Sequence, residues 1–253
     1  MGSLPQWVEI TGGPLNGCHM LLDLNSPAYW QREMKEGRYD AFIYEEFLKL
    51  GSISGVTVWD VGAHIGYHSL AFAALVGPSG RVVAFEPNPH NCERFRMNSE
   101  RNPDLTGRIT LMTSALSNVD GECSFIYSPE VDDGRSTGSH MEEALVPESE
   151  ASYITFDQTR VPTVKADTLL SEKRMPSPSI MKIDVEGAEK LVLEGAVELL
   201  TTLKPLLFIE VHNIMMMFNV QKLLNNLGYQ IEVLNSEHSS LSRCFIVARH
   251  QNS

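Results

Sequence analysis

The chain has 253 residues, with 20 basic and 32 acidic side chains and a formal net charge of −12. That length suits one well-cored domain, and the negative balance argues against a nucleic-acid partner or an anionic membrane surface. No apolar run approaches a membrane span, no signal peptide opens the chain, and Cys18, Cys92, Cys123 and Cys244 form no Cys-x-x-Cys pair; they read as free thiols in a cytosolic protein.

Two short apolar runs, Trp7–Ile10 and Cys18–Leu22, flank a Gly12–Gly17 turn and predict a hairpin. Ser26 followed by Pro27 reads as an N-cap and first helical position. Gly37 interrupts that helix, and Asp40 is placed to cap a second one running to about Leu50. Residues 1–55 thus read as a hairpin and helical cap, and residues 56–253 as the core of the same single domain.

The core opens with Val56, Val58 and Val61, the β-branched interior of a first strand. A turn containing Gly62 and Gly66 follows, then an apolar helix from Ser69 to Val76. The second strand, from Arg81, ends in Glu86 and is stopped by Pro87 and Pro89. Ile109–Thr113 reads as a third strand, with Ser114, Ala115 and Leu116 at its carboxyl end. Cys123–Tyr127 and Val161–Val164 look like two extra strands. They are joined by a Ser-, Glu-, Asp- and Gly-rich insertion over 128–160, either a mobile lid over the acceptor site or a surface elaboration. A fourth strand (Pro178–Ile183) leads to Asp184, a helix spans Ala188–Leu200, and a fifth strand (Pro205–Val211) reaches His212. A helix over Val220–Leu227, ending at Gly228, and a closing pair of strands, Ile231–Leu234 and Cys244–Ala248, complete the chain. Strands alternating with helices predict an α/β fold with a doubly wound, mostly parallel sheet.

A strand, a glycine turn and a helix start form a pocket for a nucleoside-bearing cofactor. Glu86 lies 20 residues after Gly66, about the spacing at which an acid meets both ribose hydroxyls. The turn lacks G-x-G-x-x-G and a P-loop lysine, so it is not built for a pyrophosphate. Asp60 and Glu86 would repel phosphate, but they suit the ammonium and sulfonium charges of S-adenosylmethionine. The plainer readings are that Asp60 is only a strand-end cap and that Ser114 and Ala115 form only a tight strand exit, not room for an adenine face.

The segments Asp60–Gly66, Phe85–Pro87, Lys182–Glu189 and Ile209–His212 together resemble the FkbM family of S-adenosylmethionine-dependent methyltransferases, over roughly residues 37–249. The Asn98 and Asn102 pair resembles that family's helix pattern. The resemblance implies a Rossmann-like, seven-stranded sheet with an antiparallel C-terminal edge hairpin. It also implies O-methylation of a hydroxyl on a sugar, polyketide or similar small molecule. The cofactor would then lie against Tyr39, Asp60, Gly62, Ala63, His64, Gly66, Ser69, Glu86, Ser114 and Ala115. The chain departs from the family in having His64 where Asn is usual, and in its 128–160 segment.

Removing a hydroxyl proton calls for a base. Asp184 and His212 are the candidate catalytic residues, as base or acceptor orienter, with Glu186 and Glu210 in support. An unshifted histidine titrates near neutrality, though a strand-end histidine bonded to backbone would serve no catalysis, and acids at a helix start favour the macrodipole regardless of chemistry. The acids and His212 would also suit a divalent cation, as in a sugar or catechol-type transferase, but no close metal-ligand spacing is visible, and no metal is expected. The rival readings are a nicotinamide-dependent oxidoreductase and a non-catalytic scaffold of the same fold.

Overall fold

The computed structural model describes residues 4–26, 28–128, 138–144, 157–234 and 243–251. Its centre is a seven-stranded sheet. In chain order the strands are β3 (Thr57–Val61), β4 (Arg81–Phe85), β5 (Ile109–Met112), β10 (Ile180–Ile183), β11 (Leu206–Val211), β12 (Tyr229–Leu234) and β13 (Cys244–His250). Across the sheet they run β12-β13-β11-β10-β3-β4-β5. The five from β11 to β5 are parallel, whereas β13 is antiparallel to both β11 and β12. The order reverses between β3 and β10, and open α/β sheets bind ligands at the carboxyl ends beside such a switch.

Alternation along the strands divides the core into two layers. Val58, Val82, Phe208 and Val247 face the helix α3 (Tyr67–Leu75) and the N-terminal helices α1 (Trp30–Lys35) and α2 (Ala41–Lys49). Their neighbours Trp59, Val83, Leu207 and Ile246 face the opposite layer. It is built from α6 (Ala166–Ser171), α7 (Glu189–Glu194), α8 (Val197–Thr202) and α9 (Ile214–Asn226).

The predicted N-terminal hairpin forms as β1 (Gln6–Glu9) against β2 (His19–Leu22). Among the side chains that tie it to the core are two asparagines. From the helix α4 (Pro89–Glu100), Asn98 accepts from the Leu21 amide at 2.8 Å and donates to the Ile65 carbonyl at 2.9 Å. Asn102, just before the short helix α5 (Pro103–Thr106), accepts from the His19 amide and donates to its carbonyl. The two asparagines supply the hydrogen bonds that a neighbouring strand would supply to β2.

Several boundaries differ from the sequence reading. The first helix begins at Trp30; the Ser26 hydroxyl accepts from the Ala28 amide at 3.1 Å, ahead of the helix, and Pro27 lies outside the described residues. Asp40 does sit at the N-cap of α2, but with φ 47 and no capping bond. The helix expected over 188–200 is two helices meeting at Gly195. A Cβ there would lie 1.9 Å from the Ser117 carbonyl oxygen, and Asp167 caps the second helix through the Glu198 and Leu199 amides. The helix expected over 220–227 starts earlier, at Ile214, because the Asn213 side chain caps it through the Met216 amide.

A second, four-stranded sheet was not foreseen as a unit. It runs β6 (Ala115–Leu116), β9 (Asp157–Val164), β7 (Gly121–Tyr127), β8 (His140–Met141). Of the segment read as an insertion, residues 129–137 and 145–156 lie outside the described residues. The lid reading falls mostly on them. The described remainder is structured, since β8 pairs with β7 and β9 already begins at Asp157.

Candidate active site

A cavity of about 910 Å³ opens at the carboxyl ends of β3, β4, β10 and β11. Trp30, Tyr39 and Asp40 wall it on the N-terminal side, and Phe125, Ser139 and Met141 of the second sheet on the other. Of the expected cofactor residues, Tyr39, Gly62, Ala63, His64, Glu86 and Ala115 line it, as does Asp184. Asp60, Gly66, Ser69, Ser114 and His212 do not. Ser114 borders a separate depression with Thr113, Asp120 and Thr163.

The glycine turn is shaped by protein as well as by any ligand. Gly62 has φ 81, and a Cβ there would stand 1.7 Å from the Asp184 carbonyl oxygen, so β3 and β10 can meet at this point only through a glycine. At Gly66, φ 90, the missing Cβ leaves room for the Phe95 ring. Between them His64 takes φ 50, and its ring stands edge-on to Trp30 at 5.3 Å. Burial lowers the His64 pKa to about 4, so the ring is neutral at pH 7.

Glu86 is the acid of the second strand end and is 5% exposed. One oxygen accepts from the His64 amide at 2.8 Å, the other from the Asn88 amide at 2.9 Å and the Asn91 amide group at 3.2 Å. Burial lifts its pKa to about 7 against those three lowering bonds. Each carboxylate oxygen has two lone-pair positions, so one position, on the oxygen that meets the His64 amide, remains for a ribose hydroxyl.

Asp60 has a different surrounding from the one expected of a cofactor contact. It is fully buried and accepts from Ser69 Oγ at 2.5 Å. Its other oxygen lies 3.6 Å from Lys182 Nζ. Lys182 is itself buried, reaches Asp184 Oδ2 at 3.0 Å and donates to the Gly62 carbonyl at 3.2 Å. Burial disfavours the Lys182 ammonium, but Asp184 and Asp60 outweigh that and keep it charged. Lys182 was missed in the sequence reading as a site residue. Its signal was a lysine inside the otherwise apolar run Ile180–Ile183.

His212 forms the centre of the acidic end. Its Nδ1 donates to Glu189 Oε1 at 2.5 Å. Its Nε2 lies 3.4 Å from Glu186, 3.5 Å from Asp184 and 3.7 Å from Glu210. Burial alone would depress the His212 pKa, but Glu186 and then Glu189 and Glu210 more than offset it and raise it well above 6.5. These acids favour the charged imidazolium form of His212 over the neutral ring. Burial, and then Asp184, push Glu210 well above the usual carboxylate range. Burial works the same way on Asp184, but Lys182 and His212 overcome it and hold Asp184 low. Arg243 stands 3.7 Å from Glu186 and 3.9 Å from Glu210. Glu189 and Arg243 were also missed; nothing local in the sequence marks either as a partner of this cluster.

A phosphate-free turn, an acid at the second strand end and a cavity over the carboxyl ends of a sheet with an antiparallel edge define a class I S-adenosylmethionine-dependent methyltransferase. A family model described as "Methyltransferase FkbM domain" matches residues 60–231, and the chain belongs to that family. It is 30% identical to the hexuronic acid methyltransferase AglP of Haloferax volcanii, over 77% of this chain and 71% of that one. It is 27% identical to the 2-O-methyltransferase NoeI of Sinorhizobium fredii, over 63% of this chain and 65% of that one. The fold is shared with magnesium protoporphyrin IX methyltransferase from Synechocystis PCC 6803, solved with bound S-adenosylmethionine. There the TM-score is 0.54 at 10% identity, over 90% of this chain and 86% of that one. The protein is an S-adenosylmethionine-dependent methyltransferase.

Proposed function

We propose that this enzyme methylates a hydroxyl oxygen of a sugar or similar polyol, with the donor held along β3 and β4 and the acceptor at the ends of β10 and β11. The observation that carries this reading is one continuous cavity lined at one end by Glu86 and at the other by Asp184, Glu186 and Glu210. Glu86 would hold a ribose hydroxyl, the backbone of Gly62 to His64 the amino-acid end, and Ala115 with Phe125 the base. When bound, the sulfonium supplies an electrophilic methyl group. The hydrophobic wall of Trp30, Tyr39 and Met141 excludes water around it.

The acceptor's proton would pass to the carboxylate of Glu186, since the acids around His212 favour its charged ring and burial favours the neutral form of Glu210. His212 and Arg243 offset charge among the acids, and Asp184, fixed by Lys182, orients the acceptor. Alignment of acceptor and methyl supplies most of the rate in such a displacement. The sugar assignment draws support from the hexuronic acid substrate named for AglP. A cytosolic location belongs to the same reading, supported by four unpaired cysteines. Among the described residues no helix is long and apolar enough to cross a membrane.

Calorimetric titration with S-adenosylhomocysteine and with NAD tests the donor. Incubation with methyl-labelled donor and a panel of uronic acids, neutral sugars and polyketide alcohols tests the acceptor. Label on a sugar oxygen is the expected result. Binding of NAD alone, or label on nitrogen or carbon, overturns the proposal.

A further inference from the structure

Three donors meet where β10 and β11 end. Asp184, Glu210 and His212 each offer one ligand atom, and these atoms lie within 4.8 Å of one another. Acids alone would carry no site here, because buried carboxylates also gather around Lys182 and Arg243. The histidine adds an independent observation. Its side chain is 4% exposed, its Nδ1 is committed to Glu189, and its Nε2 is buried with no hydrogen-bond partner. That nitrogen points among oxygens of Asp184, Glu186 and Glu210 at 3.4 to 3.7 Å. Two ligands sharing one small cation at about 2.1 Å each stand roughly 3 to 3.4 Å apart, so a modest contraction would close a coordination shell. A carboxylate on the distal ring nitrogen is also the support that ligating histidines characteristically have, since it fixes the ring and strengthens the other nitrogen as a donor.

We propose that Asp184, Glu210 and His212 bind a divalent metal ion at the acceptor end of the cavity, the ion taking the place of the Nε2 proton of His212, which is released to solvent. One nitrogen and two carboxylate oxygens, with positions left open, suit a first-row ion such as Mn²⁺. They suit less well Ca²⁺, which seeks six to eight oxygens, or a closed structural zinc. Asp184 can serve two cations at once, because Lys182 takes its Oδ2 while Oδ1 faces His212. Binding would replace the weak contact of Arg243 with Glu210. The inference rests on the acceptor reading above and deepens it. Asp184 and Glu210 line the cavity, so an ion held there would be within reach of a polyol's hydroxyl oxygens. It would supply Lewis acidity toward the hydroxyl to be methylated, and Glu186, outside the proposed ligand set, would take its proton.

The test uses the full chain, stripped with a chelator and titrated with Mn²⁺ alone, free ion being read by electron paramagnetic resonance. S-adenosylhomocysteine binding is measured on the same samples. One Mn²⁺ per chain is expected, with affinity at least about tenfold weaker in Glu210→Gln and His212→Asn, and about 10- to 100-fold weaker in Glu189→Leu. Should the variants fail to fold, amide NMR of the wild type decides. Broadening by Mn²⁺ confined to residues 184–187 and 210–213 supports the site. Absence of Mn²⁺ binding, or broadening elsewhere only, overturns it while intact S-adenosylhomocysteine binding preserves the donor reading. Failure of the wild type to bind S-adenosylhomocysteine would overturn the reading on which the inference stands.

Discussion

Glu189 Oε1 accepts the Nδ1 proton of His212 at 2.5 Å, and that bond decides which ring nitrogen faces the other acids. Glu189 opens α7 and is fully buried. It therefore acts as a positioning residue. Glu189→Leu should lower kcat by about 10- to 100-fold, the scale of a misaligned reacting group, with an unchanged dissociation constant for S-adenosylhomocysteine. Glu189→Gln should recover much of that loss, because its amide oxygen accepts the same N–H. Steady-state kinetics beside calorimetry check it. Equal activity in all three proteins would show that His212 needs no orientation.

Glu86 gives cofactor binding a pH dependence. Its folded pKa, about 7, lies above the ordinary 4.5. Folding thus favours its neutral form, and that contribution is full below pH 4.5 and is lost as pH rises through 7. Ribose binding favours the opposite form, because the carboxylate accepts a hydroxyl hydrogen. Affinity for methylthioadenosine, which lacks the titratable amino-acid end, should rise with pH up to about 7 and then level. Glu86→Gln should flatten the profile and weaken binding by about 1–3 kcal/mol at pH 8. Calorimetry from pH 5.5 to 8.5 reads both effects, and a flat wild-type profile would remove Glu86 from the ribose contact.

Such local signals were legible in the sequence. Apolar β-branched runs marked the parallel strands, and the spacing of Glu86 from the glycine turn marked the second strand end. Contacts made by the sheet order were not. Asp60 meets Lys182 only because β3 pairs with β10 in register, Lys182 opposite Asp60. That pairing turns an acid expected at the ligand into half of a buried ion pair. Nor does anything local announce that Glu189 and His212 share a proton, or that β6 leaves the main sheet to join β9. Gly195 fell inside the single helix expected over 188–200 because its close neighbour, the Ser117 carbonyl, is remote in the chain.

The Lys182 pair should dominate the stability of the site. Lys182 and Asp60 side chains are 2% and 0% exposed, so Lys182→Met strands Asp60 without a counter-ion and leaves Asp184 with His212 alone. A loss of about 3–5 kcal/mol is expected, the usual cost of breaking a buried pair from one side. Lys182→Met combined with Asp60→Asn should be less destabilised than the single variant. Urea denaturation measures both; a double variant as unstable as the sum of the two singles would show that the charges are not coupled.

Gly62→Ala should be among the most damaging small substitutions in the chain. The added methyl would meet the Asp184 carbonyl at 1.7 Å, in a backbone conformation with φ 81. Strain of about 1–3 kcal/mol comes from the dihedral alone, and displacement of β10 adds to it. Because the shift moves Asp184, activity should fall even where the variant stays folded. Thermal unfolding with a parallel assay checks this, and a variant with wild-type melting and turnover would contradict the close approach.

Asn98 offers a prediction outside the site. Its side chain is fully buried and joins Leu21 of β2 to Ile65 of the glycine turn. It thereby couples the N-terminal hairpin to the loop that carries His64. Asn98→Ala leaves a buried amide and a buried carbonyl unpaired, at about 1–3 kcal/mol each. Asn98→Asp keeps the acceptor for Leu21 but loses the donor to Ile65. The alanine variant should therefore expose the Leu21 amide to solvent hydrogen exchange, whereas the aspartate variant should protect it and loosen the turn instead. If both variants left Leu21 as protected as in the wild type, the hairpin would be held by the packing of Met20 and Leu22 against the core and not by Asn98.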